Sequence, residues 1–486
     1  MNTTIEFQGL SEKLSPSLAS TLTVGSSIGV DKATSTESLV LLKPVPDKAG
    51  NRIYRYLRWN FFSVYRRLFS IVFLGNLIPL ILVIRKLVVD NQYDAYHSIS
   101  TIAATAAMSN VFTSLITRNE HFVNLLFRVA VSIPTRSPLF VRRLMAKMYS
   151  YGGIHSGCGV AAVVWHLVYL IATTFLFARG GPLEMAVVVI GWLVLALFIA
   201  ILVFAHPHLR ATLHNYFELV HRCAGWSIIA AAWAQVMLLA ALTGKEQGQT
   251  LGRVLLVTPG FWLLLGSTCL VIYPWTRLRL KEVEAEPLSD HAVRLHFKGS
   301  KAEACQTVRL ADIPLKELHS FACIPEPNGR NCYSVVISDA GDWTKRIIRN
   351  PPRKVWVRGV PTFGVLRMAT LFKPVVIVAT GSGIGPCLGL FNGFPSLPCR
   401  VLWSAPSPET TFGKDIIDTV YRADPDAVII DTRKSGRQDM VRLTYELYKE
   451  ASAEAVLVIS NQKLTWKIVY GMETRGVPAY GPIWDS

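Results

Sequence analysis

Six stretches of the chain, near 68–85, 98–117, 153–177, 183–205, 222–243 and 251–274, run nearly free of charge. Each is close to the roughly 20 residues a helix needs to cross a hydrocarbon core. The second, rich in Ala, Ser and Thr from Ser98 to Thr117, suits a helix packed among helices better than one facing lipid. After Lys281 the pattern changes to short alternating runs, Val293-Arg294-Leu295-His296-Phe297 and Tyr333-Ser334-Val335-Val336-Ile337, which predict antiparallel strands. From Lys373 it changes again. Fully apolar runs at 375–379, 401–403, 427–430 and 455–459 alternate with helical stretches at 384–392 and 437–450, as βαβ units around a parallel sheet do. Residues 1–50 are rich in Ser and Thr, carry no sustained apolar period and offer no signal-peptide core, which predicts a disordered tail. The expected organisation is a tail over 1–50, a six-helix membrane bundle over 51–280, an antiparallel β region over 281–372 and an α/β parallel-sheet region over 373–486.

Composition agrees: with half its 486 residues apolar and only 17% charged, the chain is too apolar for one soluble domain. The net charge of +17 does not point to nucleic acid, because much of the excess lies in short loops beside the apolar stretches, at Arg52, Arg55, Arg58, Arg66 and Arg67 and again at Arg128, Arg136, Arg142, Arg143 and Lys147. An even number of spans puts both termini on one side. The basic loops 51–67 and 118–152, with Arg277, Arg279 and Lys281, outweigh 90–94 and 244–250, so that side is the cytosol. The partner this implies is a lipid bilayer, in a membrane whose identity span lengths do not reveal. Eight scattered Cys with no CxxC pair suit a reducing compartment and neither a disulfide framework nor zinc.

The sharpest local motif is Val375-Val376-Ile377-Val378-Ala379-Thr380-Gly381-Ser382-Gly383-Ile384-Gly385-Pro386, a buried strand entering a glycine turn and then a helix. Glycines let backbone approach a pyrophosphate, while the helix start offers free N–H groups and partial positive charge. A lone glycine turn is weak evidence, since tight packing also produces one; the strand before it and Pro386 near the helix start favour a dinucleotide. Ser404 follows the second strand, with Arg433, Lys434 and Arg437 after the third, as candidates for the nucleotide's second phosphate.

The turn resembles the nicotinamide-binding motif of the ferredoxin-NADP reductase superfamily, which includes the dehydrogenase domains of NADPH oxidases and ferric reductases. Three more segments follow that family's order. His319-Ser320-Phe321-Ala322 resembles its His-Pro-Phe-Thr flavin segment, Gly341-Asp342-Trp343-Thr344 its Gly-Asp-Trp-Thr, and Gly359-Val360-Pro361-Thr362-Phe363-Gly364 its Gly-Pro-x-Gly stretch. The resemblance spans roughly residues 60–486, and the ending from Arg475 to Ser486 is similar to fungal TmpA-type integral membrane flavoproteins, some of whose relatives form the C-terminal part of larger synthetase-like proteins. It implies a ferredoxin-reductase-like fold, with an antiparallel β-barrel flavin domain over 281–372 and an NAD(P)-binding α/β domain over 373–486. It places FAD at His319, Ser320, Phe321, Ala322, Trp343 and Thr344, and NADPH or NADH at Thr380, Gly381, Gly383, Ile384, Gly385, Pro386 and Ser404. A terminal aromatic, Tyr480 or Trp484, would cover the isoalloxazine or else pack on the surface. Ser320 and Ala322 depart from the flavin motif, and Ser460-Asn461 stand where the oxidases have Cys-Gly.

Oxidase relatives also hold two haems between their third and fifth helices. Here His155 and His166 share the third helix, about 20° apart around it and about 16 Å along it. The fifth helix carries His221 near its start and no second His, only Trp233 and Gln235 at the depth an outer ligand needs. An inner haem between His155 and His221 therefore stays open beside the plainer reading of polar residues that hold helices together. Three readings follow. The favoured one is a membrane flavoprotein oxidoreductase passing electrons from NAD(P)H through FAD to a small acceptor, in fungal secondary metabolism or developmental signalling as the TmpA resemblance implies. The others are haem-borne transmembrane electron transfer, and a non-catalytic sensor or transporter gated by nucleotide.

Overall fold

The computed structural model describes residues 44–90, 93–180, 184–326 and 332–483. Of the expected tail, residues 1–43 lie outside the described residues, as does Trp484. The end of that tail is packed: the Arg475 guanidinium donates to the Pro46 carbonyl (2.6 Å) and the Ala49 amide to the Thr474 carbonyl (2.8 Å), which anchors 46–49 on the last helix of the chain.

Among the described residues, five helices are long and apolar enough to cross a membrane: Val64–Asp90, Tyr93–Ile116, Gly152–Ala178, Met185–Ala205 and His214–Gln247. The sixth apolar stretch is not one rod. It divides into Leu251–Val257 and Pro259–Thr276, bent by 80°. Pro259 has no N–H to continue the ladder and pushes Thr258 out of the helical region, to φ −88° and ψ 113°. The small-residue helix Tyr93–Ile116 does pack among others, with Ile99 and Ala103 fully buried. Asn76 ties three helices together there: its side-chain oxygen accepts from the Asn110 amide (2.8 Å) and from the Trp165 indole (3.0 Å).

The antiparallel region contains β1 (Arg279–Glu282), β2 (Glu284–Ser289), β3 (Ala292–Phe297), β4 (Gln306–Ala311), β5 (His319–Ala322), β6 (Ile324–Pro325), β7 (Tyr333–Ser338) and β8 (Lys354–Phe363). Among the described residues these strands form no closed barrel, contrary to the expectation. They make two four-stranded sheets, ordered β1-β8-β4-β5 and β2-β3-β7-β6. The chain passes from one sheet to the other at Val283 and again at Cys323, so single residues form the corners of an open sandwich around Leu295, Leu310, Val335 and Trp343. The parallel sheet follows, from β9 (Val375–Thr380), β10 (Cys399–Ala405), β11 (Val428–Asp431), β12 (Ala455–Ile459) and β13 (Ala479–Tyr480), ordered β11-β10-β9-β12-β13. Residues 375–379 and 455–458 are buried throughout, which explains their unbroken apolar runs.

The stretch 118–152 is more than a basic loop. It forms the helices Glu120–Val131 and Leu139–Met145, and both dock on the sheets. Val123, Phe127 and Ala130 recur at helical spacing and are buried, and two polar side chains on the same face read the backbone of β8. Asn124 donates to the Pro361 carbonyl (2.9 Å) and accepts from the Phe363 amide (3.0 Å), while Glu120 accepts from the Val360 amide (2.7 Å) and pairs with Arg309. Gly359, at φ +75°, leaves the room for that carboxylate; a Cβ there would run into it. Arg142 clamps Glu454 with two bonds of 2.5 and 2.8 Å and donates to the Leu371 carbonyl (2.9 Å).

Candidate functional site

The order of the parallel sheet reverses beside β9: the chain steps outward through β10 and β11, then returns to β12 on the other side. Ligands of such sheets sit at this switch point, beyond the carboxyl ends of the strands. The glycine turn is there. Thr380 ends β9 with its hydroxyl bonded to that of Ser460 at the end of β12, and Ser404 lies beside Thr380 in register on β10. Gly381 takes φ +51°, and its carbonyl accepts from the Trp403 indole (3.0 Å). Gly383 approaches the Ile459 carbonyl so closely that no Cβ fits. That glycine therefore serves the joint between β9's turn and β12 as much as any ligand. Ile384 faces the core, while Gly385 faces Val336 of β7 and Pro386 lies in the first turn of the helix Ile384–Gly393, whose opening N–H groups have no partner within the helix.

The cations expected to meet a second phosphate, Arg433, Lys434 and Arg437, are exposed after β11. Asp431 ends that strand and accepts the Ser407 and Arg433 amides, each at 2.9 Å. Those hydrogen bonds, helped by the Lys434 charge, hold its carboxyl below the usual range.

The flavin segment is the edge strand β5. His319 and Phe321 project to one side and Ser320 to the other, where it is exposed. Trp343 lies between the first two: its ring is 4.3 Å from His319 and 5.7 Å from Phe321, both at 26°. The Trp343 indole donates to Asp312 (3.1 Å). The Thr344 hydroxyl caps its own helix, accepting from the Ala340 and Gly341 amides at 2.9 Å, so it is already committed. Ala322 offers only a methyl group. His319 Nε2 is different: it is buried and makes no hydrogen bond, although the Glu317 carboxylate lies 3.3 Å away. An orphaned nitrogen on this strand fits a polar group of a flavin cofactor. Gly389 brings the two regions together, because only a residue without Cβ lets the helix Ile384–Gly393 lie against the Cys323 carbonyl beyond β5.

Of the two terminal aromatics, Tyr480 supplies no cover. Tyr480 belongs to β13, is 1% exposed and stacks on Phe372 (5.5 Å, 21°), because its strand is the last of the parallel sheet. Trp484 is outside the described residues.

In the bundle, His155 and His221 face each other with ring centroids 6.1 Å apart and planes within 15°. His155 Nδ1 lies 3.0 Å from the Ser114 carbonyl and 2.8 Å from its hydroxyl. With an Nδ1 proton donated to that carbonyl, His155 would keep its Nε2 lone pair for a metal, so His155 and His221 are the residues that would hold a haem. His166 is elsewhere. Its Nε2 is bonded to the Gly191 carbonyl (3.0 Å), and Gln235 is spent on the Val187 carbonyl (3.0 Å), so both hold helices together. Nothing in the sequence signalled the Trp343 to His319 stack or the Thr380 to Ser460 bond, since each joins residues far apart in the chain.

Residues 365–486 match the family model described as the C-terminal domain of adenylate-forming reductase 03009. The chain is similar to adenylate-forming reductases. It is 48% identical over 442 residues to adenylate-forming reductase 03009 of Coprinopsis cinerea, covering 91% of this chain and 42% of that protein, and 46% identical over 443 residues to adenylate-forming reductase 06235 of the same fungus, with the same coverage. The chain thus spans less than half the length of these curated relatives. Solved structures with a similar arrangement include a ferredoxin NADP+ reductase from Neisseria gonorrhoeae with bound FAD and NADP (TM-score 0.36, 10% identity, 43% of this chain and 99% of that one). Phthalate dioxygenase reductase is another (TM-score 0.34, 14% identity, 43% and 68%).

Proposed function

We propose that the chain is the reducing part of a membrane-embedded flavoprotein, taking electrons from NADPH or NADH through FAD to a small acceptor near the cytosolic face. The observation that carries this reading is the glycine turn at the switch point of a parallel sheet, its helix packed through Gly385 on Val336 of β7 and through Gly389 on the Cys323 carbonyl, next after the strand β5 that bears His319 and Phe321. The relatives' names couple adenylate formation to reduction, and reduction is the share assigned here. When bound, FAD would accept a hydride from the nicotinamide and release electrons to the acceptor. The chain's own part is to place and screen the two rings. Amides at the start of Ile384–Gly393 would hold a pyrophosphate, Ser404 would face the adenosine side, and His319 Nε2 would meet a polar group of the flavin while Trp343 keeps its ring in place. The five long apolar helices, or six with the bent pair counted as one span, would hold this site at a membrane surface with both termini cytosolic. Fungal secondary metabolism or developmental signalling is the setting we assign.

The geometry of His155 and His221 favours a second reading, in which an inner haem receives the electrons. One measurement separates these. The absorption spectrum of the detergent-purified full chain is taken before and after anaerobic NADPH, then NADH. Flavin bands that bleach without a Soret band support the flavoprotein reductase. A Soret band that shifts on reduction and is lost in His155→Ala supports the haem route. A protein that binds dinucleotide but bleaches nothing is a sensor or transporter, and the redox reading fails.

A further inference from the structure

Two cavities lie between the last long helix of the bundle and the bent pair that follows it, and they share walls. One is an apolar cleft of about 410 Å³ between His214–Gln247 and Pro259–Thr276, lined among others by Trp226, Trp233, Val271 and Trp275. The other, about 190 Å³, shares Trp226, Val271 and Trp275 and adds three guanidinium groups, those of Arg118, Arg222 and Arg358. These arginines come from three places in the chain: after the second span, at the start of the fifth, and from β8 of the antiparallel region.

None of the three forms an ion pair among the described residues. Arg222 donates to the Lys316 carbonyl (3.0 Å), Arg118 lies over the Tyr151 ring (5.9 Å), and Arg358 lies over the Trp275 ring (4.7 Å) with its Nε buried and unbonded. Of the nearby carboxylates, Glu120 is engaged by Arg309 and the Val360 amide, and Glu218 lies 3.4 Å from His214. Burial, reinforced by Arg309 and Arg222 and opposed by Glu120 and Glu218, brings the Arg358 guanidinium down to about 10. Three half-buried cations around one cavity repel one another and lose hydration; an anion among them would remove both costs. The adjoining cleft offers no such polarity. It falls within the 300–1,000 Å³ typical of small-ligand sites, and Trp226 and Ile272 on its wall are 38% and 51% exposed, so it opens sideways, where a bilayer would supply an apolar chain.

We infer that the joined cavities bind an amphiphile, its carboxylate or phosphate head held by Arg118, Arg222 and Arg358 and its apolar body lying along Trp226 and Trp233. Bidentate guanidinium contacts suit both kinds of head. The site stands apart from the glycine turn and does not rest on the redox reading.

The test uses the full chain purified in a neutral detergent and reads quenching of tryptophan fluorescence by brominated probes. Dibromostearate is expected to quench saturably, at least about tenfold more tightly than dibromostearyl alcohol, with the curve shifted about tenfold to higher concentration in Arg358→Gln and in Arg222→Gln. Brominated phosphatidate that binds as tightly, against brominated phosphatidylcholine that does not, identifies a lipid headgroup as the natural source; a response to dibromostearate alone identifies a free acid. Either supports the site. Equal affinity for acid and alcohol, or no shift in either arginine variant, overturns it, as does inorganic phosphate competing as strongly as the amphiphile. Because no turnover is measured, failure here is distinct from failure of the reductase reading.

Discussion

Two connections at one end of the bundle, 118–152 and 206–213, both carry cationic side chains, and the fold uses them differently. The shorter one is a single exposed turn: His206 and His208 face solvent, and His214 meets Glu218 at 3.4 Å across one helical turn. The longer one is buried along Glu120–Val131 and at Arg142. Positive charge is common to both and says nothing about docking. What separates them is a short apolar period, Val123, Phe127 and Ala130, interleaved with Glu120 and Asn124, polar groups of the right length to bond a strand's backbone. A loop that carries such a period is a bearing surface between two parts of a molecule.

The contrast can be broken at its strongest point with Gly359→Ala. A methyl group there displaces the Glu120 carboxylate from Arg309 and the Val360 amide, and a loss of about 4 kcal/mol is expected in denaturant unfolding of the purified protein. Adding Glu120→Ala should then cost much less than the two single losses together, because the clash and the pair are one interaction. Arg142→Ala comes next. It strands Glu454, and about 3 kcal/mol should disappear from stability at neutral pH. The same variant has a pH signature. The hydrogen bonds from Arg142 hold the Glu454 carboxyl below its ordinary range, so their contribution is present above the unfolded value of roughly 4.3 and lost as pH falls through the depressed one. The wild-type protein should thus lose more stability than Arg142→Ala between pH 5 and 3, and parallel acid curves would refute the pairing. Asn124→Ala leaves the Phe363 amide buried without an acceptor, for a loss of about 1–2 kcal/mol by the same assay. His208→Ala, on the exposed turn, should change the midpoint by less than about 0.5 kcal/mol.

Most of the bundle and of the parallel sheet could be read from the chain because their signals are local: an apolar run long enough to span, or a buried strand ending in Gly381. The break at Thr258 was equally local, in Pro259, but its neighbours are apolar enough to hide it. The two sheets of the antiparallel region were not legible as such. Their corners at Val283 and Cys323 depend on which distant strand each half pairs with. At the site, the glycine turn was visible, whereas the reason Gly383 has no side chain is a carbonyl 76 positions later, at Ile459. Trp343 was recognised by its motif, yet the motif does not show that its indole lies against His319. Tyr480 looked like a terminal cover only because the chain nearly ends there; pairing with β12 buries it.

The order of synthesis gives Arg142 and Glu120 a further meaning. Their partners are made 312 residues later, at Glu454, and 189 residues later, at Arg309. While the ribosome is still extending the chain, the first four helices are complete and the docking segment is exposed with its apolar stripe and unpaired ions bare. Assembly of the sheets is then a closing step performed on a waiting template. A chain truncated near residue 280 should keep its helices yet clump through this stripe, and coexpression of the missing half as a separate polypeptide should rescue its solubility.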